Sequence, residues 1–562
     1  MKRLLLVGIN ARYTHLNLAI RYLRNYTIDL EYQTEIIEFS INQDILEILE
    51  QIACNKPEIL AFSVYIWNTD IVRILLPEIK KILPDSKIIL GGPEVSYNPE
   101  DWQRGFPEID FIICGSGEAG FRYLLEQDLK VSDTLIRKKN PHFSQIPFPY
   151  LSSDFPEIKD KYIYYESSRG CSFKCSYCLS SRSDQSLEFR DIENVKKELT
   201  FLIKQNPKII KFVDRTFNAK KEHSREIWKF LIELNPKMTF HFEIHPELLD
   251  EEDLQILKKC SKGLFQFEIG VQSTNPETLK AIHRANNWQK TSNTIKQLIS
   301  FGNIHIHVDL IAGLPFESQK DLERSFNDIF NLHADNFQLG FLKILPGTKI
   351  AENTDNFGIV STNTNPYMIL QNNWLTFAEL NIIHKIEILL DVFSNSNKFK
   401  MTLKYLIPKF DSPFVFFDEF LKFLQNNNYD LQTKNWKKNA FELLLFIKDN
   451  FSIEYDFFFD CLRWDWCMQA RSHYYPEFLR CDANIKAKQI GYEYLNSYKI
   501  KEKIKLDNIE LSVFELKKAI YFIPALNEFK RQILNKFDLA VFISGKPYFL
   551  NLSQIKKPFS KS

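Results

Sequence analysis

Residues 160–181 read DKYIYYESSRGCSFKCSYCLSS, a short apolar run that ends in a loop carrying three cysteines within eight positions. Cys171, Cys175 and Cys178 stand at spacings of four and three, and the next cysteine is Cys260. A cubane iron–sulfur cluster normally takes a cysteine at every iron, so three thiolates would leave one iron open. An open position is what catalytic metals keep and structural metals close. The alternatives are a zinc site completed by a distant residue and a set of free buried cysteines. Zinc knuckles usually arrive as two C-x-x-C pairs, and neither Cys260 nor any histidine stands at a matching offset.

Outward from this loop, the sequence alternates apolar runs with helix-length segments. YIYYESS, IIKFVD, TFHFEI, LFQFEIGV, IHIHVDLIAG and NFQLGFLKIL read as six strands over residues 161–355, each followed by a helix-like stretch. Six strand–helix units predict a partial or full barrel with its chemistry at the C-terminal strand ends, where the cysteine loop falls. Upstream, RLLLVGI, EYQTEIIEFS, EILAFSVYI, KIILGG and DFIICG predict a second α/β domain over residues 1–130. Continuous apolar strands with intervening helices imply a parallel sheet covered on both faces, flavodoxin-like, with its ligand at the carboxyl ends of the strands. Residues 131–160 are polar and proline-containing, as expected of a linker. Residues 365–562 read as a mostly helical C-terminal domain with a mixed tail from about 490.

The C-x-x-x-C-x-x-C spacing, with Tyr177 before the last cysteine and the loop placed after the first strand of a six-unit series, resembles the radical S-adenosylmethionine (SAM) superfamily. That resemblance implies a [4Fe–4S] cluster whose open iron is chelated by the amino and carboxylate groups of SAM. One electron then cleaves the sulfonium to give a 5′-deoxyadenosyl radical, which abstracts a hydrogen from the substrate. It also implies roles for later residues. Asp214 and Arg215, with Thr216 and Asn218, would lie near the methionine amine. Glu243, Glu268, Gln272, Ser273 and Arg284 would face the ribose and the methionine carboxylate. Ile311 and Gly313 would lie against adenine, and Glu317 comes one position late against the family spacing. Taken singly, about half of these motifs have a structural explanation, such as a strand-end turn or a solvated helix residue; their order around the triplet carries the resemblance.

The N-terminal series resembles the cobalamin-binding domain of cobalamin-dependent radical SAM enzymes. The matching pieces are Ser63, Trp67 and Asn68 after the third strand, Gly91, Gly92, Pro93 and Glu94 after the fourth, and Gly115, Gly117 and Glu118 after the fifth. Glycines at strand ends let backbone approach a large ligand, although a generic nucleotide-binding domain would show similar pieces. Many corrinoid domains carry D-x-H-x-x-G after strand one, the histidine ligating cobalt. Here His15 has Tyr13 in place of the acid and Leu18 in place of the glycine. The implied cofactor is base-off cobalamin with no protein histidine on cobalt, its lower face shielded by Trp67 or Asn68. Methylthiotransferases put three further cysteines in this domain, whereas only Cys54 and Cys114 occur here.

The C-terminal region resembles the helical extension of a subgroup of these enzymes and is expected to act as a substrate cap. Cys461, Cys467 and Cys481 match no common cluster spacing and read as part of a Trp- and Cys-rich amphipathic helix. Lys plus Arg (72) nearly cancels Asp plus Glu (71), which argues against a nucleic-acid partner. No run is long enough for a membrane span, and nine cysteines, six of them scattered, point to a reducing cytoplasm. The expected partners are a small-molecule substrate and a single-electron donor such as flavodoxin or ferredoxin. Methyl transfer to an unactivated carbon is the reaction implied first. Radical cyclisation or rearrangement of a small molecule or tetrapyrrole-like substrate is the alternative, and a non-catalytic corrinoid or redox sensor is the reading from another class.

Overall fold

In the computed structural model, strand β1 (Lys2–Asn10) explains why the first sheet is covered on both faces. Its side chains alternate between faces, so Leu5, Val7 and Ile9 enter one apolar cluster while Leu4 and Leu6 enter the other. The first cluster takes Ile48, Ile52, Val72 and Leu76 from helices Ile45–Cys54 and Thr69–Ile82. The second takes Ile20, Phe121 and Leu124 from helices Leu18–Tyr26 and Gly117–Glu126. The described residues are 1–181, 186–284, 286–470, 474–497, 503–506, 509–512, 519–525 and 527–550. They form two units, Met1–Leu380 and Asn381–Ser562.

In the first unit, β1 pairs with β2 (Tyr32–Ser40) and β3 (Ile59–Ser63), followed by β4 (Lys87–Gly91), β5 (Phe111–Ile113) and β6 (Leu135–Ile136), all parallel in the order β2-β1-β3-β4-β5-β6. The first five strands have the flavodoxin-like order, with the switch point between β1 and β3. Strand β6 is a sixth member that the polar composition of residues 131–160 conceals. That segment is not a free tether. Phe143, Ile146, Tyr150 and Phe155 are buried, and the Asp154 carboxylate takes a bidentate pair from Arg24 at 2.6 and 2.8 Å.

The second sheet runs β14-β13-β12-β11-β10-β7, built from β7 (Ile163–Tyr165), β10 (Ile209–Phe212), β11 (Thr239–Glu243), β12 (Phe265–Gln272), β13 (His305–Ala312) and β14 (Asn336–Phe341). All pairs are parallel and consecutive, so the six expected units make an open, partial barrel. Its outer layer is aromatic: Phe212, Phe240, Phe242, Phe265, Phe267 and Trp228 are fully buried. The chain leaves β7 through β8 (Ser168–Arg169), which pairs antiparallel with β9 (Glu188–Phe189) and frames the cysteine loop.

The second unit is helical through Lys400–Leu406, Pro413–Asn426, Trp436–Asn450, Tyr455–Gln469 and Asp482–Ser497. The mixed tail then forms a strand pair and a three-stranded antiparallel sheet, Ile520–Phe522, Leu539–Ile543 and Lys546–Leu550. Cys461 and Cys467 are buried in helix Tyr455–Gln469, and the Cys467 thiol lies 2.9 Å from the Tyr475 hydroxyl.

Candidate functional site

A cavity of about 690 Å³ lies along the carboxyl ends of the first sheet, bordered by Asn10, Ser63, Gly91 and Gly115 at the ends of β1, β3, β4 and β5. Gly92 belongs to its wall with φ 109°, and an added Cβ would sit 2.4 Å from the Val64 carbonyl oxygen, so only glycine fits. Trp67 also borders the cavity; it stacks on Tyr65 at 4.4 Å and donates to the Ile9 carbonyl at 3.0 Å. Ser63 is fixed by the Asn17 amide. Gly117 and Glu118 complete the wall from the first turn of their helix.

Two expected residues stand elsewhere. Asn68 is fully buried outside the wall, where its amide donates to the Ile9 and Ser63 carbonyls at 3.0 Å and accepts from the Tyr65 N–H at 2.8 Å. These bonds hold the turn that follows β3. Glu94 accepts from the Tyr367 hydroxyl, and burial raises its pKa. His15 lines the cavity with Nδ1 held 2.7 Å from the Tyr164 hydroxyl, and burial together with the Lys211 and Arg12 cations lowers its pKa.

A second cavity of about 190 Å³ opens at the carboxyl ends of the barrel strands and is bordered by Cys171, Cys175, Cys178 and Tyr177. Among the described residues no three His, Cys, Asp or Glu side chains converge on one ion. The thiols instead share a cavity, as ligands of a multi-iron cluster must. Phe173 stacks on His245 at 4.6 Å, and the Ser176 N–H donates to the Ile282 carbonyl at 2.9 Å, pinning the loop to the barrel. Arg284 donates to the Gly270 carbonyl and reaches the Cys175 sulfur at 3.6 Å and the Tyr177 hydroxyl at 3.4 Å.

The opposite wall follows from period two on β12 and β13. Glu268, Gly270 and Gln272 alternate with buried Phe267, Ile269 and Val271, while Asp309 stands between buried Val308 and Leu310. Burial pushes the Glu243 carboxyl up to about 7, with Arg215 opposing and Glu268 and Asp214 reinforcing. Burial likewise raises Asp309, reinforced by Glu268 and Glu243, whereas the His241 hydrogen bond at 3.0 Å lowers Glu268. Gln272 Oε1, Asp309 Oδ1 and Arg284 Nε are buried in this wall without hydrogen-bond partners. Such groups are costly unless a polar ligand satisfies them, so the residues present fit one.

Four expected contacts stand outside this cavity wall. Asp214 lies beneath the loop and accepts from the Ser167 N–H at 3.0 Å and from the Ser167 and Ser168 hydroxyls at 2.6 Å; burial pushes it up to about 6. Ser273 donates to Glu317, which burial pushes up to about 8, so this pair ties the ends of β12 and β13 together. Ile311 and Gly313 end β13 outside the cavity wall, and the Gly313 carbonyl accepts from Asn372 at 3.0 Å. Arg215 borders both cavities, exposed and without an ion pair among the described residues.

Family comparisons match residues 4–125 to the B12 binding domain, 165–329 to the Radical SAM superfamily, and 355–537 to the Protein of unknown function (DUF4080). The cobalamin-dependent radical SAM methyltransferase TokK of Streptomyces tokunonensis is 24% identical over 361 residues, 58% of this chain and 52% of that protein. The chain therefore spans about half the length of this curated relative. Among solved structures, OxsB with aqua-cobalamin and S-adenosylmethionine bound has a TM-score of 0.59 at 15% identity, covering 83% of this chain and 79% of that one. The methyltransferase TsrM of Kitasatospora setae, with cobalamin and a [4Fe–4S] cluster, has a TM-score of 0.54 at 16% identity, covering 67% and 81%. The two α/β sheets thus match, in order, a B12 binding domain and a radical SAM domain, with a DUF4080 match behind them, the arrangement that the chain shares in fold with OxsB and TsrM.

Proposed function

We propose that the chain is a cobalamin-dependent radical SAM enzyme that transfers a methyl group to an unactivated carbon of a small molecule. The observation that carries this reading is the pair of cavities sharing Arg215: one rimmed by strand-end glycines, the other by three cysteines facing partnerless buried polar groups. Cys171, Cys175 and Cys178 would hold three irons of a [4Fe–4S] cluster. Gln272, Asp309 and Arg284 would satisfy the polar groups of SAM, with Glu243 and Glu268 beside them. When bound, the cluster and SAM supply a one-electron route to a carbon radical, and cobalamin carries the methyl group.

The chain's own residues select and shelter these groups. Gly91, Gly92, Gly115 and Gly117 give backbone access to the corrin, and the stacked Trp67–Tyr65 pair offers it a flat rigid face. Tyr13 and Leu18 stand where the acid and the glycine of a cobalt-ligating histidine motif would be, in keeping with cobalamin that takes no protein histidine. A raised Glu243 and Asp309 reduce the negative charge facing the methionine carboxylate, while Arg284 offers it a cation. A single-electron donor such as flavodoxin or ferredoxin and a cytoplasmic setting complete the proposal. No helix among the described residues is long and apolar enough to cross a membrane.

The test is anaerobic reconstitution with iron, sulfide and hydroxocobalamin, followed by SAM and reductant. Co-eluting corrinoid and 5′-deoxyadenosine are expected. A cluster-loaded, reduced protein that forms none would favour the sensor reading, and a product that gains no methyl label would favour cyclisation.

A further inference from the structure

Arg169 lies two residues before Cys171 and reaches back into the wall of the larger cavity. Its Nη1 donates to Glu118 at 2.7 Å, and its Nε and Nη2 donate to the two Glu166 oxygens at 3.1 and 2.9 Å. Glu118 comes from the first turn of the helix after β5 of the first sheet, whereas Glu166 follows β7 of the barrel. One guanidinium therefore joins the two domains of this unit. Its plane is packed by Phe143 at 4.6 Å and Tyr22 at 5.3 Å. Glu118 is anchored in turn by the Asn140 amide. Downstream, Arg169 pairs with Glu188 in the β8–β9 ladder, and Gly170 at φ 92° turns the chain directly into Cys171.

Arg169, Glu166 and Glu118 all border the cavity, with side-chain exposures of 25%, 14% and 6%. A ligand filling that cavity would displace the water that reaches them. Ion pairs strengthen as local dielectric falls, and a planar bidentate fork converts that gain into fixed geometry. The backbone that tightens is the one entering the cysteine loop.

We propose that Arg169 is a positioning residue that couples filling of the corrinoid cavity to retention of the cluster by the cysteine loop. This rests on the proposed cofactors and adds a thermodynamic link between them. Linkage requires reciprocity, so the cluster-loaded chain also binds corrinoid more tightly than the cluster-free chain.

The test uses the full chain, reconstituted anaerobically, and follows iron release to a chelator with and without saturating hydroxocobalamin. Wild type should lose iron at least about five-fold more slowly when corrinoid is bound, the low end of typical coupling. R169Q and E118Q are each brought to saturation with corrinoid, followed by absorbance and at whatever concentration that takes, and at saturation protection should fall below about two-fold. R169K, which keeps the charge but not the fork, should not restore it. A merely structural arginine would speed iron loss equally with and without corrinoid. If R169Q does not fold, E118Q carries the test, because it keeps the Arg169–Glu166 pair. Wild-type protection retained in E118Q, or bound corrinoid that gives wild type no protection, overturns the coupling. A wild type that binds no corrinoid overturns the proposed function itself.

Discussion

Replacing Gly170 with alanine perturbs the cysteine loop at its entrance while touching no ligand. The residue has φ 92°, a region that costs a non-glycine residue about 1–3 kcal/mol. The added Cβ would lie 2.3 Å from the Ser186 carbonyl oxygen and 3.2 Å from Leu187 Cα. Both are backbone atoms, so relief requires β8 and β9 to part by roughly 1 Å before ordinary van der Waals contact returns. The ladder has only two residue pairs to lose, which makes the damage local. A combined cost of about 3 kcal/mol corresponds to roughly a 100-fold weaker hold on the cluster. The assay is iron and sulfide per chain after anaerobic reconstitution, with the rate of iron loss to a chelator and a thermal melt as the control for folding. G170A should melt close to wild type yet retain far less iron. Full iron content with an unchanged loss rate would refute the reasoning that Gly170 sets the loop.

Glu317 makes a pH prediction. Its folded pKa of about 8 lies above the ordinary 4.5, so the folded state holds a proton that the unfolded state releases between these values. Stability therefore falls as pH rises through that window, by up to ~1.4 kcal/mol per unit, and E317Q should lack this slope in urea unfolding; equal slopes would remove the claim. N68A strips the hydrogen bonds that hold the tip of β3 and should lower stability by about 2–4 kcal/mol in denaturant melts, whereas loss of corrinoid binding at unchanged stability would mark Asn68 as a ligand contact. In the second unit, buried Asp465 caps helix Lys400–Leu406 by accepting from the Met401 and Thr402 N–H groups and the Thr402 hydroxyl at 2.7–2.9 Å. D465A should cost about 2–4 kcal/mol, and an unchanged unfolding midpoint would show that this cap contributes nothing.

The strands were legible because alternation and apolar runs are local. All six barrel strands fall where the pattern puts them, and the flavodoxin-like order matches a continuous apolar β1 whose two faces are both covered. Strand β6 was not legible, since two apolar residues in a polar segment carry no period. The cysteine triplet is legible from its spacing, whereas the hydrogen bonds of Asp214 to Ser167 and Ser168 and of Ser273 to Glu317 are not. Sequence reports a polar residue at a strand end and not whether its partner is a ligand or a neighbouring turn. Asp309 was missed although it left a signal: an acid in the apolar run HIHVDLIA, on the same face as His307. The Arg169–Glu118 contact spans 51 positions between two sheets, so no local pattern could announce it.

In the proposed function one chain uses a three-cysteine cluster, SAM and a corrinoid together to methylate carbon. The most direct measurement supplies methyl-labelled SAM and reductant to the reconstituted, corrinoid-loaded protein with candidate small molecules, and counts 5′-deoxyadenosine and labelled product in the same reaction. Both are expected, each abolished by C171A, C175A or C178A. Full cluster and corrinoid loading with neither product, or with 5′-deoxyadenosine that persists in the cysteine variants, would contradict it.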